Sequence, residues 1–215
     1  MATIAYLLSG VVLLSGFWLL IARRIRGAVG DYAFQSWVLG LVCLATSWQS
    51  GRLHLLVLGL STVVVKGIVI PTVLRHQVKA TVYERRETSY HLGFPSALLL
   101  GSALSVVGFL VAARLPLVRD PLGEPVLGVA ITVVLLGFFT TLARRDAAMQ
   151  LTGLLVAENG LLLAGLVMSA GLPLLVDFAF FLDVLVGAVV MGFLIARMHE
   201  TMASTDTSEL TRLRG

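Results

Sequence analysis

Apolar runs of about twenty residues recur along this chain, separated by short polar turns, and that repetition restricts the fold more than any single motif does. The runs cover 4–22, 33–50, 53–74, 95–113, 126–143, 147–170 and 173–196. Inside a bilayer every backbone N–H and C=O must find its partner within the segment, which a helix provides. The pattern predicts an all-α polytopic membrane protein with about seven transmembrane helices. Composition agrees. The 215 residues are 58% hydrophobic and only 13% charged, with a mean hydropathy of +0.95. Soluble domains carry about 25% charged residues, and so few polar groups could not cover a water-exposed surface.

The formal charge is +4, but the basic residues sit between the apolar runs. That placement reads as topology control and contact with anionic lipid headgroups, and no nucleic-acid-binding motif is present. Counting sides by alternation, twelve basic residues share one side: Arg23, Arg24, Arg26, Arg75, Lys79, Arg85, Arg86, Arg144, Arg145, Arg197, Arg212 and Arg214. Arg52, Arg114 and Arg119 share the other, and Lys66 lies within a run. The positive-inside bias then puts the N-terminus outside and the C-terminus in the cytoplasm of an inner or plasma membrane. Charge follows the first run rather than preceding it, so that run reads as a retained helix, not a signal peptide. The expected organisation is three helices over 1–75, loops and a fourth helix over 76–125, a three-helix unit over 126–197, and a polar cytoplasmic tail over 198–215.

Function is sought in the ionisable residues that fall inside the runs: Lys66, Glu158, Asp177 and Asp183. Each costs about 2.5–3.5 kcal/mol at the bilayer centre on insertion-based scales, so an intramembrane charge is a functional candidate by default. Depth follows from helical rise. Glu158 and Asp183 flank a hairpin that turns near Gly171, which sets both roughly 18–20 Å from its outer end. Lys66, counted from Gly51, falls near the same level. A buried acid beside a buried lysine can exchange protons, because burial and a neighbouring opposite charge act on it in opposite directions. Pro71 lacks an N–H, so the Gly67 carbonyl next to Lys66 loses its helical donor and is a candidate water site. Glycines such as Gly153 and Gly187 read as packing or kink positions.

Other chemistry finds little support. Cys43 is the one cysteine, which excludes an internal disulfide and a cysteine-ligated iron–sulfur cluster. His54, His76, His91 and His199 show no metal-ligand spacing. Phosphate loops, nucleophile triads and haem motifs are absent from the sequence. The expectation is therefore no catalytic residue, no metal and no cofactor on this chain.

Residues 144–197, from RRDAAMQLTGLLVAENGLLLAGL to LLVDFAFFLDVLVGAVVMGFLIARM, resemble the K-type membrane subunit of respiratory complex I. They resemble still more closely component E of hydrogenase-4, of the formate hydrogenlyase and membrane-bound hydrogenase group. The family pattern G-L-E-x-x-x-N matches Gly153, Leu154, Leu155 and Asn159, so Leu155 occupies the glutamate position and Glu158 follows three residues later on a similar face. The family's second glutamate precedes a glycine by four residues, as Asp183 precedes Gly187. The resemblance implies a non-catalytic membrane-arm subunit of an energy-converting redox complex. Glu158 and Asp183 would serve a path for protons or sodium, and Lys66 and Asp177 join it by their charge and depth alone, not by the family pattern. Its partners would be antiporter-like subunits and quinone- or hydrogenase-anchoring subunits. The alternatives are a subunit of a multi-subunit cation/proton antiporter, or a structural scaffold of such a complex.

Overall fold

The computed structural model describes residues 2–80, 94–115, 123–144 and 147–168, together with Gly187. Its elements are helical throughout: α1 (Ala2–Ile21), α2 (Ile25–Ser50), α3 (Leu53–Ser61), a π-helical segment (Thr62–Val69), α4 (Ile70–Ala80), α5 (Phe94–Arg114), α6 (Gly123–Ala143) and α7 (Ala147–Met168). The rod from α3 to α4 is continuous through the π segment. Five helices are long and apolar enough to cross a bilayer: Ile25–Ser50, Leu53–His76, Pro95–Arg114, Gly123–Ala143 and Ala148–Met168. Tyr6–Ile21 adds a shorter apolar helix. This is an all-α, multi-pass membrane protein. The run at 173–196, with Asp177 and Asp183, lies outside the described residues, as do most of the 75–94 loop and the tail.

One boundary differs from the sequence expectation. The second span was expected at 33–50, but α2 begins at Ile25. Arg26 and Asp31 lower local hydropathy without breaking the helix, so a polar first third is drawn into the bundle. At its far end Gly51 takes a left-handed φ of 65° and donates its N–H to Ser47 O at 2.9 Å. That closure lets the chain reverse into α3 at once.

Two helix pairs set the interior. α6 packs on α1, α5 and α7, while α2 packs on α1, α7 and the broken rod. The α6–α7 approach is backbone on backbone. A Cβ added at Gly153 would lie 2.8 Å from Gly137 O, and one at Gly160 2.8 Å from Ala130 O. Small residues are the usual means of such approach in a membrane, where lipid is as apolar as leucine and packing must drive association. Leu53, Leu99, Val106, Leu110 and Leu142 point outward, as suits a surface solvated by acyl chains.

The rod breaks for a local reason. Pro71 cannot donate to Gly67 O and its ring crowds that carbonyl. The backbone widens just before it, and Ile70 N–H reaches back five residues to Val65 O. Trp37 Nε1 of α2 then donates to Gly67 O at 3.2 Å. The orphan carbonyl expected to recruit water is taken by an indole. Gly67 admits that ring, since a Cβ there would sit 2.9 Å from Trp37 Nε1.

Candidate functional site

The π segment carries Lys66 inward. Its side chain is 2% exposed, and its Nζ lies 3.4 Å from Glu158 Oε1 of α7, itself 5% exposed. Lys66 Nζ also donates to Asn159 Oδ1 at 3.3 Å. Asn159 Nδ2 donates onward to Gln35 Oε1 and to Ser36 Oγ of α2, each at 3.1 Å. Gln35 Nε2 donates to Val12 O of α1 at 3.1 Å, and Ser36 Oγ donates to Tyr32 O at 2.9 Å. Gln35, Ser36 and Asn159 are buried. Every one of these groups sits near the middle of its helix.

The charge on Lys66 gives this network a direction. An ammonium only donates, so Asn159 must present its oxygen to Lys66 and its amide nitrogen to α2. Gln35 must then present its oxygen to Asn159 and its nitrogen to Val12. The cation is thereby solvated by a polarised amide chain on one side and a carboxylate on the other. Side-chain amides exchange protons poorly, so the chain orients and stabilises. The groups able to hand over a proton here are Lys66 and Glu158.

Of the residues singled out by the sequence, the structure brings together Lys66, Glu158 and Asn159, with Gly67 and Pro71 shaping the backbone beside them. Leu155 is fully buried on α7. Gly153 serves the α6–α7 contact, whereas a Cβ added at Gly187 would meet nothing within 4 Å among the described residues. Asp177 and Asp183 lie outside the described residues. Among the described residues no three His, Cys, Asp or Glu side chains converge as metal ligands would.

No family model matches the chain, and no solved structure matches it. Curated relatives do. Hydrogenase-4 component E of Escherichia coli K12 is 25% identical over 209 residues, covering 97% of this chain and 96% of that protein. The Shigella flexneri protein of the same name matches to the same extent. The chain is thus similar over nearly its whole length to proteins named hydrogenase-4 component E. An uncharacterized protein of Mycobacterium tuberculosis is likewise similar, at 27% identity over 208 residues, 96% of this chain and 94% of its own length.

Three residues carry roles that the sequence did not reveal. Arg144, counted above as a topology signal, is buried, and its guanidinium donates to Ala22 O at 2.6 Å and Leu20 O at 3.2 Å. It caps the C-terminal end of α1, where unsatisfied carbonyls favour a cation. Trp37 lies mid-helix and donates its indole N–H to Gly67 O. Asp31 falls just before the expected span. With α2 starting at Ile25 it lies about 9 Å into the helix. Its Oδ2 is shut off from solvent and has no hydrogen-bond partner among the described residues. It borders a cavity of about 250 Å³ with Val11, Leu14, Ser15, Trp18 and Phe34. Only the extent of α2 could have flagged it.

Proposed function

We propose that this chain is a membrane subunit of a hydrogenase-type redox complex, and that the Lys66–Glu158 pair is a proton-holding station in an ion path through that complex. The first half rests on likeness to proteins named as components of hydrogenase-4 and on the multi-pass helical fold. The second rests on one observation above the rest: a lysine and a glutamate 3.4 Å apart, both excluded from solvent at mid-span. A buried ion pair is a poor stabiliser. Replacing one by apolar residues of similar volume is often neutral or favourable by 1–4 kcal/mol. A pair kept at that cost is better explained by use.

The use follows from the pair's two states. With Lys66 charged and Glu158 ionised, the two charges attract across 3.4 Å. Moving one proton from Lys66 to Glu158 gives a neutral pair that needs less solvation. A third charge arriving nearby biases one state over the other. Asp183, and Asp177 nearer the outer boundary, are the groups that would continue the path, with water between them. The chain would carry no redox centre. Peripheral subunits would supply the redox reaction, and antiporter-like and anchoring membrane subunits would flank this one. The arginine distribution supports an N-terminus outside and a C-terminus in the cytoplasm of the cell's inner or plasma membrane. Protons or sodium would be the ion moved.

The test is Glu158→Gln combined with Asp183→Asn in the intact complex. Assembly and hydrogen turnover with an artificial electron acceptor are expected to persist, while coupled proton uptake by inverted membrane vesicles is lost. Unchanged uptake would remove the proposal. Loss of assembly would instead assign the buried charges to holding helices together.

A further inference from the structure

A second charged site lies at one end of the bundle, away from the Lys66–Glu158 pair. Arg26 of α2 and Thr72, Arg75 and His76 of α4 line a cleft of about 510 Å³. Arg75 lies along α2, with one guanidinium nitrogen 3.4 Å from where a Gly30 Cβ would be. The start of α2 adds to the positive potential. Its N-cap, Arg24, makes no side-chain capping bond, and its first turn holds no acidic residue. The positive end of this 26-residue helix thus adds to the field of two guanidinium groups, a combination that favours a phosphate-like anion. Thr72 donates its hydroxyl to Ile68 O at 2.6 Å, so it forms a wall rather than a donor.

The position favours a lipid. The cleft sits where the apolar span Leu53–His76 ends. Below it, Ile68 and Val65 follow Thr72 at helical spacing along the rod, and both are exposed. One stripe thus offers apolar contact for an acyl chain and then, a turn later, two cations at headgroup height. We propose that this cleft binds the phosphate of an anionic membrane lipid, on the side that the arginine distribution assigns to the cytoplasm. The ligand chemistry is a phosphate ester anion held by Arg26 and Arg75, with His76 at the rim.

The experiment uses the full-length chain, purified in mild detergent and titrated with phosphatidylglycerol, cardiolipin, phosphatidylcholine and inorganic phosphate, with retention read by native mass spectrometry. Anionic lipid is expected to bind in preference to phosphatidylcholine. Arg75→Gln should weaken that preference about fivefold and Arg26→Gln/Arg75→Gln about thirtyfold. Arg75→Lys should recover part of it, because a lysine keeps the charge but not the paired donors. Arg114→Gln, at the end of α5, should leave it intact. Equal retention by Arg75→Gln and wild type would overturn the proposal, as would equal binding of phosphatidylcholine. Inorganic phosphate binding as tightly as the lipid would also overturn it, assigning the cleft to a soluble anion. Arg75→Gln changes an exposed side chain, so its reading does not depend on the double variant folding.

Discussion

Glu158 and Asp31 both lie within described membrane-spanning helices, and their surroundings differ in kind. Glu158 faces a lysine across 3.4 Å, in a region where neighbouring side chains are oriented by that lysine's charge. Asp31 faces a cavity bordered by apolar and aromatic side chains and one serine, and one of its oxygens meets no donor among the described residues. Glu158 has an opposite charge brought to it by the fold. Asp31 belongs to an arrangement the fold leaves open. Four elements (α1, α2, the π segment and α7) converge on the first, whereas among the described residues α1 and α2 line the second. A charge enclosed by several helices becomes part of the structure. A charge between two helices stays available to whatever lies outside them.

Single substitutions in the pair should break this contrast most severely. Glu158→Leu or Lys66→Met strands the other charge in the interior, with an expected loss of about 3–5 kcal/mol, measured by denaturant titration of the purified protein in micelles. Lys66→Met with Glu158→Leu should recover most of that loss. A double variant as unstable as the sum of the singles would mean that the two charges are not energetically coupled. A smaller effect is expected from Asn159→Ala, which removes the acceptor of Lys66 and leaves Gln35 Oε1 without its donor. About 1–3 kcal/mol should be lost, and a loss near zero would show that Lys66 needs only its carboxylate. The smallest effect belongs to the open site. Asp31→Asn should change stability by less than about 1 kcal/mol in either direction. A penalty as large as that of Glu158→Leu would reveal a partner for Asp31 inside this chain and erase the distinction.

Much of the bundle was legible because a bilayer makes secondary structure a local property. An apolar run of sufficient length has one way to satisfy its backbone, so α5, α6 and α7 fall close to their sequence boundaries. The level of Lys66 and Glu158 was also readable, since helical rise turns residue number into depth. Azimuth was not. That Gln35 and Ser36 face Asn159, rather than lipid, depends on how α2 turns against α7. The two polar side chains were visible only as a dip in the hydropathy of the second run. Asp31 was missed because hydropathy placed the start of α2 at 33.

The sequence by itself determined that this chain is a bundle of membrane helices carrying ionisable groups at mid-depth, because both follow from composition and spacing along one axis. Only the tertiary structure decided which of those groups meet. Pro71 could signal a break in the rod. Yet the widened π turn, the indole that fills Gly67's vacancy, and the approach of Lys66 to Glu158 all require helices from distant parts of the chain to be set side by side. Contacts across a bundle depend on rotation and crossing of whole helices, and those are set by packing rather than by any one segment.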